Sequence, residues 1–107
     1  MLSALALNGS ALADVKCGNF ILTSSNDGFM HINGMRPESQ KFTFLGQKND
    51  YDNVKYEWMV ATNQPGNWLG MEYIKRNGSK RILNIQVVQA KMDVPQSFAT
   101  YDCIKIG

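Results

Sequence analysis

The sequence predicts an all-β protein, an antiparallel meander of about seven strands forming a small barrel or sandwich with one disulfide. Three observations predict it. Short runs of β-branched and aromatic residues recur between clusters of Asn, Asp, Gly, Ser and Pro, the pattern of strands punctuated by turns. Helical periodicity is hard to find after Asp14. The two cysteines, Cys17 and Cys103, lie near opposite ends of the domain, so an intramolecular bridge between them joins the first strand to the last.

Residues 1–13 carry no charge, are rich in Leu and Ala, and end in Ala11-Leu12-Ala13 before Asp14. Small residues at those positions are the mark of signal-peptidase cleavage, so 1–13 is expected to be a signal peptide and 14–107 a single β domain. The basic residue that usually precedes such an apolar stretch is absent. As a helix the segment would cover about 20 Å, short of the ~30 Å hydrocarbon core, so no membrane span is expected. Val15 and Lys16 are not the small residues that lipid modification of Cys17 would need. The expected location is therefore periplasmic or secreted, where cysteines oxidise. A disulfide closing so long a loop stabilises by about 4 to 5 kcal/mol in the chain-entropy model.

Strands are expected over 15–23, 29–33, 40–46, 54–62, 68–76, 80–91 and 98–106. Ser24 to Gly28 and Asn63 to Asn67 supply residues that tolerate positive φ or fix φ, so each should reverse the chain. Asn77-Gly78 fits a tight hairpin, because both central residues of a type I′ turn need positive φ. Arg36-Pro37-Glu38-Ser39 and Asp93-Val94-Pro95-Gln96 read as longer connections, each proline withholding a ladder donor. Alternation marks the buried faces: Val54, Tyr56, Trp58 and Val60 in the fourth strand, Leu69, Met71 and Tyr73 in the fifth, Leu83, Ile85 and Val87 in the sixth. The opposite side of the sixth, Ile82, Asn84, Gln86 and Val88, is semi-polar, as a sheet wet on one side requires. A barrel is favoured over a sandwich, since the covalent link brings the terminal strands together and closure removes free edges.

The charge balance is mild, +2 net with 19 % charged residues, which argues against a polyanion binder and hence against nucleic acid. His31 is the single histidine, and both cysteines are assigned to the disulfide, so a nucleophile-histidine constellation has nothing to assemble from. The same scarcity of ligands leaves no metal and no cofactor expected. Glu57 and Glu72 fall on consecutive strands and could approach each other as a pair for glycoside cleavage, but Glu57 alternates with Lys55 on the face read as wet, and surface pairing is the preferred reading. Asp50 and Asp52 lack the regular spacing of a calcium loop and read as turn residues.

Two surface features remain as candidate binding elements. Lys75, Arg76, Lys80 and Arg81 concentrate four cations around one turn, either to dock an acidic partner surface or to guard a sheet edge as a solvated tip. Trp68, just after Pro65-Gly66-Asn67, is the best single aromatic candidate, ahead of Tyr51 and Phe29. Asn77-Gly78-Ser79 also matches a glycosylation acceptor, relevant in a eukaryotic secretory pathway.

The layout, a leader followed by a β domain with cysteines near both ends, resembles that of the small periplasmic lysozyme inhibitors of Gram-negative bacteria. The resemblance is one of layout: the Ser/Gly-rich inhibitory loop of those families has no counterpart here, so no residue role carries over. The function expected is that of an exported, non-enzymatic binding protein of the bacterial envelope, inhibitor-like, acting through a loop or hairpin end on another protein or an envelope component. An oligosaccharide-binding OB-type barrel is the alternative, although such folds place a helix between strands where none is read here. A small secreted hydrolase is the third reading.

Overall fold

A computed structural model of the protein describes residues 14–89 and 98–106. Within them the chain forms β1 (Val15–Cys17), β2 (Phe20–Ser24), β3 (Met30–Ile32), β4 (Ser39–Phe44), β5 (Val54–Ala61), β6 (Asn67–Arg76), β7 (Lys80–Gln89) and β8 (Phe98–Lys105), with no helix among the described residues. All pairings are antiparallel, in one sheet of order β3-β2-β1-β8-β7-β6-β5-β4. The sheet curls into a half-barrel, the all-β meander expected from the sequence. The expected leader 1–13, the end of the 80–91 strand and the Asp93–Gln96 connection lie outside the described residues.

The stretch expected as one strand over 15–23 is two. Gly18 and Asn19 form a two-residue turn that pairs Cys17 with Phe20, and Gly18 at φ +59° supplies the positive φ that a II′ hairpin needs at its first central position. The inward-facing residues shift at this turn from odd positions, Val15 and Cys17, to even ones, Phe20 and Leu22. Gly18 also makes room for a neighbour, since a Cβ there would stand 2.5 Å from Tyr101 Cδ1.

Cys17 lies directly opposite Cys103 in the β1–β8 ladder, and the two are disulfide-bonded. The first and last strands are thus joined by both backbone and covalent bonds. At the other end of the sheet, β5, β6 and β7 carry the alternation read from the sequence. Trp58, Val60, Met71, Tyr73, Leu83 and Ile85 are buried in one cluster with Val15, Leu22 and Ile32 from β1–β3. Burial of these side chains against one another, worth roughly 1.5–3 kcal/mol for each large apolar residue, is what bends the sheet over its own face.

The two free edges of the sheet, β3 and β4, meet through one side chain. The Gln40 carboxamide accepts hydrogen bonds from the Met30 backbone N–H (3.1 Å) and the Trp58 indole N–H (2.7 Å), and its Nε2 donates to the Gly28 carbonyl (3.1 Å). A side chain here takes the place of a backbone ladder, leaving a half-barrel and not a fully hydrogen-bonded cylinder. Beside this seam a chain of rings, Phe44, Phe42, Tyr56, Trp58 and Tyr73, fills the open end, with successive centroids 4.8 to 6.0 Å apart.

Candidate functional site

The face of β4–β8 turned away from the core carries a continuous polar surface whose order is set by register. One row across five strands reads Lys41, Glu57, Glu72, Asn84 and Thr100; the next reads Ser39, Met59, Gly70, Gln86 and Phe98. Together they line an open groove of about 580 Å³. Gly70 lowers its floor, because a Cβ there would approach Val88 Cγ2 to 3.2 Å. Phe98, 74 % exposed, stands at one end.

Glu57 and Glu72 are directly opposite each other in the β5–β6 ladder. Like charges so placed repel. The Lys55 ammonium offsets this from the next row, 3.9 Å from Glu57 Oε1 and 3.8 Å from Glu72 Oε2, one cation shared by two carboxylates. Glu72 Oε1 also accepts from Asn84 Nδ2 (3.0 Å), and Asn84 Oδ1 accepts from the Thr100 hydroxyl (2.9 Å). The result is a hydrogen-bonded chain over three strands, with side chains fixed in orientation yet half in solvent.

The basic hairpin has a different arrangement from four projecting cations. Lys75 and Arg81 pair across the ladder on the side that continues the core face, and Arg76 and Lys80 pair on the other, exposed. Arg81 folds back so that its guanidinium donates to the carbonyls of Gly78 (3.0 Å) and Ser79 (3.2 Å). The turn has the expected positive φ at Asn77 (+54°) and Gly78 (+72°), but the ladder closes on Arg76–Lys80, so Ser79 makes it a three-residue loop. Its tip is anchored: the Gly78 N–H donates to the Asp52 carbonyl (3.0 Å) and the Asn77 N–H to Asn53 Oδ1 (3.1 Å). Asp50 in turn caps that loop, accepting from the Asp52 N–H and from Asn53 Nδ2. Both aspartates thus hold a turn, and no group of His, Cys, Asp and Glu suited to a metal occurs among the described residues.

Trp68 lies on the groove face, one row beyond Gly70 between Ala61 and Val88, half-buried, with its indole N–H donating to Glu38 Oε1 at 3.2 Å. His31 Nε2 lies 2.9 Å from Asp27 Oδ2. The Asp27 carboxyl is held below its usual range first by the hydrogen bond from the Phe29 N–H and then by His31. Arg36 lies 3.7 Å from the same carboxylate and stacks over Phe29, so this group ties one loop together.

No family model, curated protein or solved structure matches this chain. The sequence shows Glu57 and Glu72 on neighbouring strands but not their register. Asn84, Thr100, Gly70 and Phe98 carry no motif, and their outward parity was the signal available for placing them on one surface.

Proposed function

We propose that the protein is an exported, non-enzymatic binding protein of the bacterial envelope that holds a segment of another protein in the groove across β4–β8. The observation that carries this reading is the opposed pair Glu57 and Glu72 sharing the single ammonium of Lys55 at 3.8–3.9 Å. Lys55 is the cation within ion-pair distance of both carboxylates, and Lys41 opposite Glu57 forms no such pair with a described residue, which leaves acceptor capacity directed into an open groove that an arginine or lysine from a partner would fill in charge-assisted hydrogen bonds. Ser39, Gln86 and Thr100 offer further polar contacts, and Met59 and Phe98 offer apolar ones. The Cys17–Cys103 disulfide supports an oxidising compartment.

A second reading, an oligosaccharide ligand, is favoured by the Thr100–Asn84–Glu72 chain of hydrogen bonds and the exposed Phe98 ring beside it. One experiment separates the two. The oxidised chain beginning at Asp14 is immobilised and challenged with envelope extract, with lysozyme as a defined basic protein, and with a panel of soluble oligosaccharides. A retained protein that is lost with Glu57→Gln/Glu72→Gln, while the melting temperature holds or rises, supports the protein reading. Oligosaccharide binding lost in Phe98→Ala and Asn84→Ala supports the second. Retention of proteins undiminished in the glutamine double variant removes the groove as the site.

A further inference from the structure

The groove face continues towards the disulfide end, where its character changes. Beyond the groove rows, Ile74 pairs with Ile82, and Ile82 with Asp102. In the following row Arg76 pairs with Lys80; Ile104 lies two residues beyond Asp102 on the same side of β8, opposite Lys16, and Lys16 is opposite Ile21. Ile106, bonded through its N–H to the Asp14 carbonyl, extends the set. Isoleucines therefore alternate with cations across a sheet surface on which Asp102 is the exposed carboxylate beside Ile104: Ile21 is 38 %, Ile104 61 % and Ile106 47 % exposed, and Lys16, Arg76 and Lys80, three cations to that carboxylate, are exposed too.

None of these three cations forms an ion pair with a described residue. Exposed aliphatic side chains grouped on one surface and rimmed by charged residues mark a site of contact with a protein or a membrane.

We propose that this end of the sheet is a docking surface for an anionic lipid bilayer. Charge complementarity selects the occupant: Lys16, Arg76 and Lys80 face lipid phosphates while the isoleucines enter the boundary between headgroups and acyl chains, the lysine and arginine stems lying along them. Sugars and single-stranded nucleic acids would call for stacking rings, and the row contains none. The contact is peripheral, as no helix among the described residues is long and apolar enough to cross a membrane. It is independent of the groove, whose carboxylates lie in other rows, and would hold the protein at the envelope with the groove free.

The test is co-sedimentation of the oxidised chain from Asp14 with vesicles of pure phosphatidylcholine and with vesicles containing phosphatidylglycerol, across a salt series, with soluble polyglutamate as competitor. Binding to the anionic vesicles alone is expected, weakening with salt. Lys16→Gln and Lys80→Gln should each weaken it roughly fivefold, and Ile21→Ser/Ile104→Ser should also release it, circular dichroism confirming the fold in each case. Equal binding to both vesicle types, absence of binding at low salt, or binding unaffected by the isoleucine changes and displaced by polyglutamate would each overturn the proposal. The last outcome would make the surface a site for acidic protein. Vesicle binding intact in Glu57→Gln/Glu72→Gln keeps the two sites distinct.

Discussion

The side-chain carboxamide of Gln40, on one edge strand of the sheet, accepts a hydrogen bond from the backbone N–H of Met30 on the other edge strand. The same oxygen takes the indole proton of Trp58, and the amide nitrogen donates to Gly28. One side chain thus satisfies donors from β3 and β5 and holds the curled sheet shut. Gln40→Leu should leave two N–H groups without their acceptor, at about 1–3 kcal/mol each, a loss of roughly 2–6 kcal/mol in urea unfolding. Amide exchange at Met30 should speed up. Gln40→Glu, which keeps the acceptor and loses the bond to Gly28, should fall between.

Gly18 and Tyr101 make a second test of the fold. Alanine at Gly18 would adopt φ +59° and drive its Cβ to 2.5 Å from the Tyr101 ring. We expect Gly18→Ala to cost about 2 kcal/mol or more, combining the left-handed penalty with displacement of the ring. Gly28→Ala is the control: its φ is +85°, but nothing lies within 4 Å of the added Cβ. The difference between the two denaturation midpoints isolates the contact with Tyr101.

The Cys17–Cys103 bridge spans a sequence separation of 86 residues. Replacing both cysteines by serine should lower stability by up to about 4–5 kcal/mol. The far-ultraviolet circular dichroism should keep its β character below the lowered transition, because the β1–β8 ladder itself needs no sulfur. Peptide mapping without reductant should yield the single linked pair, and a Cys17–Cys17 link between chains would contradict the structure.

Alkaline stability should depend on Tyr56 and Tyr73. Burial raises both phenols above their ordinary pKa, aided at Tyr56 by Tyr51 and opposed at Tyr73 by the Arg81 guanidinium. The folded state keeps these groups protonated where the unfolded chain would ionise them. Their contribution is therefore complete below pH about 10 and is lost as the pH rises through their folded values. Phenolate absorbance should show these two tyrosines ionising late, close to the unfolding transition. Tyr56→Phe and Tyr73→Phe should each flatten the alkaline limb of stability against pH.

The sequence by itself determined that this is a β protein, because the alternation of Val54, Tyr56, Trp58 and Val60 against Lys55 and Glu57 has period two and survives any choice of partner strand. It also limited any intramolecular bridge to Cys17 with Cys103, the pair that the structure bonds, since two cysteines permit one such pairing. It did not separate β1 from β2, because the Gly18–Asn19 turn is short and the signal lay in a change of parity between Cys17 and Phe20. Only the tertiary structure decided the register, and with it the candidate sites. Glu57 opposite Glu72, Lys16 between Ile104 and Ile21, and Gln40 reaching Met30 are relationships between strands, fixed when burial of Leu22, Ile32 and Trp58 in one core curls the sheet. Local residue preferences are indifferent to which outward side chains become neighbours, whereas a one-residue slip would turn the core face out to water. That cost, summed over the whole sheet, places the polar and aliphatic rows where they stand.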